Sequence, residues 1–278
     1  MTTLRFKQVD VFTAVPFQGN PLAVVFGADD LSGSEMQRIA CWTNLSETTF
    51  VLVSEKADFG SRIFSPTTEL PWAGHPTVGT GHAVRELGLL PADKDHVTME
   101  CQAGLIPLII DGEEFLAEVP SPRIVPTRPD LNRLRTALGN DSAVDPLLVD
   151  VGPLWMATMV DSLDSLYGIR PDNASLSELS QSLSSVGVSV YAIDKNELHV
   201  RSFAPAVGVI EDPVCGSGNA AVAVHAKTTG LDTLVGRSYT AIQGHALGRD
   251  GRVRVKIEDD RLFIGGRSTT VVDGEIRI

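Results

Sequence analysis

The sequence is poor in cysteine and lacks the close residue pairs that hold metal ions. Its three cysteines, Cys41, Cys101 and Cys215, are odd in number and scattered, so they do not form a disulfide framework. Such cysteine usage indicates a reducing, cytoplasmic setting. Cysteines and histidines show no C-x-x-C or H-x-x-x-H spacing, and we therefore predict no metal site.

Long apolar runs and an excess of positive charge are also missing. The longest apolar stretches, such as Leu22–Phe26, fall far short of the roughly 20 residues that a membrane-spanning helix needs. The first ten residues lack the apolar core of a secretory signal. The net charge of -12 disfavours nucleic acid and anionic membranes, which attract clustered Lys and Arg. Walker, Rossmann and G-x-S-x-G motifs are absent too, and a small molecule is the expected partner.

What the sequence does contain is an internal repeat, in residues 62–89 and 201–231. The matches are Arg62 with Arg201, Phe64 with Phe203, Pro66 with Pro205, Gly74 with Gly216, Gly88 with Gly230 and Leu89 with Leu231. From Gly216 onwards the offset is three residues longer, and this alignment places a short insertion around Glu211 and Asp212. A duplication with polar residues at matched turns predicts two similar lobes that face a shared cleft.

The length and the matched segments predict the fold. At 278 residues the chain exceeds one typical core, so two domains of about 130 residues are expected. Thr77–Glu86 and Asn219–Lys227 are small and apolar almost all round, which is typical of a helix enclosed on every side. Because regular strand–helix alternation is absent, we predict an α+β fold with two pseudo-symmetric lobes. In each lobe a barrel-like sheet wraps around a central helix.

The expected boundary between the lobes lies near residue 118. The N-terminal lobe comprises residues 1–118 and is completed by the C-terminal strand at about 268–278, and the C-terminal lobe comprises 119–267. A packed connector is marked by four prolines, Pro120, Pro122, Pro126 and Pro129.

Each central helix begins with glycine and a small polar group, Gly74-His75 in one copy and Gly216-Ser217 in the other. A helix N-terminus presents unpaired N–H groups and a partial positive charge, so it binds anions such as carboxylates. The same glycines also suit tight strand-to-helix turns with no ligand. His75 either binds a substrate carboxylate or caps its helix.

Three further residues carry the chemistry that the sequence suggests. Glu47 lies ahead of a strand, where burial would raise its pKa and suit it to proton transfer; otherwise it is a solvated loop residue. Asp212 is within reach of the second helix start, or is an ordinary acidic loop residue. A helix N-terminus could lower the pKa of the Cys215 thiol, although a lone cysteine is often a small core residue. The counterpart of Cys215 in the first copy is Ala73.

Several motifs, in order, resemble the PhzF family, which is named for the phenazine-biosynthesis isomerase. They are Asp10-Val-Phe-Thr, Gly19-Asn-Pro-Leu-Ala-Val, Asn44-Leu-Ser-Glu-Thr-Thr-Phe, Leu70-Pro-Trp-Ala-Gly-His-Pro-Thr-Val-Gly-Thr and Glu211-Asp-Pro-Val-Cys-Gly-Ser-Gly. The resemblance implies the diaminopimelate-epimerase-like fold, no metal or organic cofactor, and a homodimer.

The resemblance also implies roles for individual residues. Glu47 falls on the glutamate that moves a proton between substrate carbons, with Asp212 and His75 as its catalytic partners. Substrate-binding positions fall on Gly74, Gly216, Ser217, Asn20 and Cys215. The chain departs from the phenazine isomerase at Cys215, where that protein carries Thr, and at Gly218-Asn219, which replace small apolar residues.

Three functions follow from these residues. The first is a cofactor-independent isomerase that moves a proton on a small carboxylate-bearing substrate, with Glu47 as the acid/base. The second is an amino-acid epimerase or racemase in which Cys215 and Glu47 act as opposed bases. The third is a binding protein that keeps the fold without catalysis.

Overall fold

The protein folds into two compact α+β units, described by a computed structural model over residues 2–91 and 93–278. The first unit contains Met1–Glu118 and Gly265–Ile278, and the second contains Val119–Ile264. Along the described part of the chain, no helix has the length and apolar character that crossing a membrane requires.

The first unit is a twisted sheet wrapped around one helix. Its strands are β1 (Thr3–Val11), β2 (Asn20–Phe26), β3 (Thr48–Leu52), β4 (Phe59–Phe64), β5 (Glu69–Leu70), β6 (His96–Cys101), β7 (Gly104–Asp111), β8 (Glu114–Glu118) and β18 (Ser268–Arg277). The pairs β18–β1, β1–β2, β3–β4, β4–β5, β6–β7 and β7–β8 are antiparallel, whereas β2–β3 and β4–β6 are parallel.

Two helices complete the first unit. Helix α1 (Gly33–Thr43) starts at a capping box formed by Ser32 and Glu35, as the sequence predicts. Helix α2 (Gly74–Glu86) packs against β1, β2, β3, β8 and β18, and nearly all of its residues up to Val84 are buried. The prediction of an enclosed, apolar helix is therefore correct in this unit.

The second unit repeats this plan. Its strands are β9 (Arg123–Val125), β10 (Val144–Asp150), β11 (Leu154–Met159), β12 (Gly187–Asp194), β13 (Glu197–Ala204), β14 (Val209–Asp212), β15 (Ser238–Gln243), β16 (Gly251–Glu258) and β17 (Arg261–Gly266). Its helices are α3 (Leu131–Leu138), α4 (Leu163–Gly168), α5 (Asn173–Ser182), α6 (Gly216–Thr229) and α7 (Asp232–Val235). Helix α6 packs against β10, β11, β12 and β16 and is buried along most of its length.

The duplication extends well beyond the matched motifs. In the second unit β10–β11, β12–β13, β13–β14 and β15–β16 are antiparallel, and β11–β12 and β13–β15 are parallel. This is the pairing order of β1–β7 in the first unit. The two units are therefore copies of one supersecondary plan in which α2 corresponds to α6.

The structure corrects the position of the insertion. Four residues separate Phe64 from Glu69, whereas seven separate their repeat partners Phe203 and Glu211, and these seven include a 3-10 turn at Pro205–Val207. The three extra residues therefore lie ahead of Glu211 and Asp212. Glu211 is instead the repeat partner of Glu69, because each lies five residues before the first glycine of its helix.

Candidate active site

The first unit brings Glu47 and His75 together. Glu47 immediately precedes β3, and His75 is the second residue of α2. The Nδ1 atom of His75 lies 3.0 Å from Oε2 of Glu47, with side chains that are 6% and 19% exposed. The two atoms are in contact, but they do not form a hydrogen bond. Within the described residues, both Oε2 of Glu47 and the buried Nε2 of His75 lack a hydrogen-bond partner.

Local structure fixes the position of Glu47. Asn44 takes the left-handed conformation (φ 54°) and ends α1, which turns the chain towards β3. The backbone oxygen of Glu47 accepts a hydrogen bond from the N–H of Ala23 on β2 at 3.5 Å. Ser46 donates to Oδ1 of the buried Asn20 at 3.4 Å. Asn20 is therefore held beside the segment that carries Glu47.

The start of α2 is uncapped by any side chain. Its N-cap residue, Ala73, has no side-chain acceptor, and Pro76 in the first turn has no N–H to satisfy. The N–H groups of Gly74 and His75 remain available to a ligand next to the Glu47 carboxylate. A carboxylate beside hydrogen-bond donors is an arrangement that suits enolate chemistry.

The second unit gathers Asp212, Cys215, Gly216 and Ser217. Cys215 is the N-cap of α6, and its Sγ accepts the N–H of Gly218 at 3.2 Å. Burial, reinforced by the negative charge of Asp212, raises the pKa of the Cys215 thiol well above its ordinary value. The sequence-based expectation of a lowered pKa is therefore wrong, because loss of solvation outweighs the effect of the helix N-terminus. Cys215 is a neutral capping thiol.

Ser217 is oriented by a residue that the sequence did not single out. The indole Nε1–H of Trp155, on β11, donates to Oγ of Ser217 at 3.0 Å. The hydroxyl therefore accepts from Trp155, and it also lies 3.6 Å from Sγ of Cys215, where either group can donate. Together with the first-turn N–H groups of Gly216 and Ser217, it forms a set of donors suited to a carboxylate.

Gln243 connects the other residues of this helix start. Its Oε1 accepts the N–H of Cys215 at 3.1 Å and the amide of Asn219 at 2.7 Å, and its Nε2 donates to the backbone oxygen of Asp212 at 2.9 Å. The carboxylate of Asp212 accepts the N–H of Val214 at 3.0 Å. Asp212 thus shapes the turn into α6 as well as contributing charge there.

Only one of the two units carries an acid at the position of Glu47. Thr48 pairs with Phe64 in the first unit, and Val188 pairs with Phe203 in the second. The repeat partner of Glu47 is therefore Gly187, where a Cβ atom would lie 2.0 Å from the carbonyl oxygen of Phe203. No side chain can replace this glycine without a backbone shift.

Glu47 and His75 do not line either of two grooves on the first unit. One groove, of about 550 Å³, is lined by Arg85 and its neighbours, and the other, of about 800 Å³, by Trp42 and its neighbours. Across residues 2–91 and 93–278, no group of three His, Cys, Asp or Glu side chains has the geometry of a metal site. We assign the site on its side-chain chemistry.

A duplicated α+β fold with one enclosed helix in each unit defines a class, the proteins of the diaminopimelate-epimerase-like fold. Comparisons with known proteins agree. The family model described as "Phenazine biosynthesis-like protein" matches residues 9–274. A crystal structure of the Bacillus anthracis phenazine biosynthesis protein of the PhzF family superposes with a TM-score of 0.86 at 29% identity, covering 100% of both chains.

Two curated relatives extend the match. "Antisense-enhancing sequence 1" of Schizosaccharomyces pombe is 38% identical over 99% of both chains. The trans-2,3-dihydro-3-hydroxyanthranilate isomerase of Pseudomonas aeruginosa is 35% identical over 91% of this chain and 90% of its own. The chain belongs to the PhzC-PhzF family of phenazine biosynthesis-like proteins, and it is an isomerase. The predicted family, fold class and enzyme class are confirmed.

Proposed function

We propose that this isomerase moves a proton between two atoms of a small carboxylate-bearing substrate, with Glu47 as the acid/base. The observation that carries the proposal is the contact of 3.0 Å between Glu47 and His75 at a buried helix start. Each side chain there also has an atom with no hydrogen bond to the described protein. A buried polar atom without a structural partner costs stability, and such costs are retained at functional sites.

In this reaction Glu47 starts as a carboxylate and takes a proton from a substrate carbon that is acidified by a conjugated carboxylate or carbonyl. The negative charge moves onto the substrate oxygen, where N–H donors at a helix start stabilise it. Glu47 then returns the proton to a second carbon, so that the protein ends as it began and the substrate is isomerised. His75, 3.0 Å from Glu47, orients the carboxylate and supplies a second polar contact.

The second unit has donors of its own: the first-turn N–H groups of Gly216 and Ser217 suit a carboxylate. The Trp155 hydrogen bond holds the Ser217 hydroxyl at this helix start, beside N–H groups that favour an anion. The raised pKa of Cys215 opposes the alternative in which this thiol acts as a second base, because a neutral thiol is a poor proton acceptor.

The decisive experiment is proton–deuteron exchange in deuterium oxide, followed by NMR on a panel of small unsaturated and amino carboxylates. The panel includes the substrate named by the Pseudomonas aeruginosa relative. We expect Glu47→Gln to slow exchange at least about 100-fold, the usual contribution of general acid–base catalysis. Glu55→Gln, on an exposed side chain of the same unit, is the matched control and should retain activity.

The outcomes separate the three functions. Exchange lost in Glu47→Gln and kept in Glu55→Gln supports the isomerase. Full exchange in Glu47→Gln refutes the role of Glu47. Tight binding of a panel member with neither exchange nor isomerised product in the wild type would favour a binding protein. The homodimer and the cytoplasmic setting stay predictions, and light scattering on the purified protein tests the first of these.

A further inference from the structure

Each unit contains an Arg–Glu pair at the same place in the repeat. Arg62 donates from Nε and Nη2 to the two carboxylate oxygens of Glu69, both at 2.7 Å. Arg201 makes the same two-pronged contact with Glu211, both at 2.9 Å. Each guanidinium also lies over the phenylalanine two residues further on, with its central carbon 5.1 Å and 4.8 Å from the ring centroids.

The two glutamates lie on the segments that lead into the functional helices. Glu69 is five residues ahead of Gly74, and Glu211 is five residues ahead of Gly216. Their arginines lie on β4 and β13, which are paired with strands on both sides and are therefore rigid. A bidentate Arg–carboxylate contact fixes orientation as well as distance. Each pair thus attaches a short entry segment to a rigid strand.

The Arg201–Glu211 pair is present although the segment between its residues is longer than in the first unit. The segment between Phe203 and Glu211 is three residues longer than that between Phe64 and Glu69, yet the Arg–Glu contact is intact. The Arg201 and Glu211 side chains are only 6% and 10% exposed. The remaining Nη1 of Arg201 donates to the backbone oxygens of Leu166 and Ile169, both at 3.0 Å. Because burying an ion pair carries a large desolvation cost, its contribution is to fix the geometry of this segment rather than to increase stability.

We propose that the two Arg–Glu pairs are positioning devices for the two helix starts. Arg62–Glu69 sets the placement of Gly74 and His75 against Glu47, and Arg201–Glu211 sets the Gly216 and Ser217 donors. This inference rests on the proposed function for the first helix start, proton transfer, and on the donors of the second helix start, which suit a carboxylate. The two pairs therefore control different kinetic parameters.

The test compares Glu69→Gln with Glu211→Gln, since glutamine keeps the shape and removes the charge. Glu69→Gln should lower kcat for proton exchange at least about tenfold with little change in KM, because a small misplacement of reacting groups costs rate. Glu211→Gln should raise KM by a similar factor with little change in kcat. Asp150→Asn, which breaks the ion pair with the largely exposed Arg123, is the control and should change neither.

A readout independent of activity separates this inference from the proposed function. NMR should show displaced ¹⁵N shifts for His75 in Glu69→Gln and for Ser217 in Glu211→Gln, with the Asp150→Asn spectrum unchanged there. Unmoved shifts refute the positioning role. If the shifts move while even the wild type exchanges no proton, the proposed function fails and the positioning role stands on the shifts.

Two further outcomes bear on the mechanism. If both variants show the same fall in kcat and the same rise in KM, in proportion to the stability they lose, the division of roles is overturned. Arg62→Lys keeps the charge and removes the two-pronged contact, so it should behave like Glu69→Gln, whereas full activity in Arg62→Lys contradicts the geometric argument. If Glu211→Gln does not fold, the first pair, whose side chains are 33% and 30% exposed, carries the test alone.

Discussion

Replacing Gly79 by alanine should destabilise the protein, although the same change stabilises most helices. Alanine is favoured over glycine by about 1 kcal/mol in a helix interior. Gly79 lies in the buried middle of α2, where a Cβ atom would meet methyl carbons of Leu22 and Val11 at 2.6 Å each. Both neighbours are wholly buried on β1 and β2, so neither can swing away.

The magnitude follows from setting the two effects against each other. Overpacking a well-packed core costs about 1–3 kcal/mol, and two contacts almost 1 Å too short place Gly79→Ala at the upper end. After the gain in helix propensity is subtracted, we expect a net loss of about 2 kcal/mol. With an m-value of about 2–3 kcal/mol/M in urea, the midpoint should fall by about 0.7–1 M.

The assay is urea unfolding followed by circular dichroism, with Gly168→Ala as the matched control. Gly168 ends α4, where a Cβ atom would have nothing within 4 Å, so alanine should be neutral or slightly stabilising. A Gly79→Ala midpoint equal to or above that of the wild type would refute the argument that the sheet closes tightly on α2. Equal destabilisation by both variants would refute it too.

Three further predictions concern single side chains. Burial lowers the pKa of His225 below its ordinary 6.5, so the folded state binds fewer protons and stability is lost as the pH falls below about 6.5. Urea titrations at pH 7.5 and 5.5 should therefore show a steeper loss in the wild type than in His225→Gln, and equal losses would contradict the prediction. The buried thiol of Cys215 should resist iodoacetamide in the native protein while the exposed Cys41 reacts, as mass spectrometry of digests would show; equal labelling would refute it. Trp155→Phe removes the hydrogen bond to Ser217, worth about 1 kcal/mol, and should raise KM about fivefold; an unchanged KM would count against it.

The sequence predicts those parts of the fold that local signals specify. The capping box at Ser32 and the apolar segments of α2 and α6 identify helices without reference to the rest of the chain. The apolar segment Thr77–Glu86 begins three residues after the helix does, since Gly74, His75 and Pro76 already have helical conformation. Proline in the first turn marks the start of a helix only to within a residue or two.

The second unit was harder to predict because its helices depend on packing. The sequence analysis assigned no helix over α3, α4 or α5. Serine is frequent in α5, and it favours caps and turns over helix interiors. The helix forms nevertheless because Leu176 and Leu179 are buried in the core of the unit. Helix α3 does have recognisable caps in the sequence, Asp130 at its N-terminus and Gly139 at its C-terminus.

Hydrogen bonds between residues far apart in the chain could not be predicted from the sequence. Trp155 and Ser217 are 62 positions apart, and no periodicity or motif relates them. The same holds for Gln243, the last residue of β15, whose side chain forms hydrogen bonds with the backbones of both Asp212 and Cys215. The sign of the Cys215 pKa shift was also unpredictable, because it depends on whether burial or the helix N-terminus dominates. Candidate residues are visible in a sequence, whereas the groups that orient them are not.

The asymmetry between the copies has a chemical consequence. Duplication supplies two helix starts with free donors, but the position of Glu47 is taken by Gly187 in the second unit, where close contact with Phe203 leaves no space for a side chain. Two-base racemisation needs an acceptor and a donor at matched positions. A single carboxylate that both takes and returns the proton suits transfer between carbons on one face of the substrate. Such a carboxylate can return the proton it took before solvent replaces it. In deuterium oxide, product that keeps part of the original proton would therefore indicate one base.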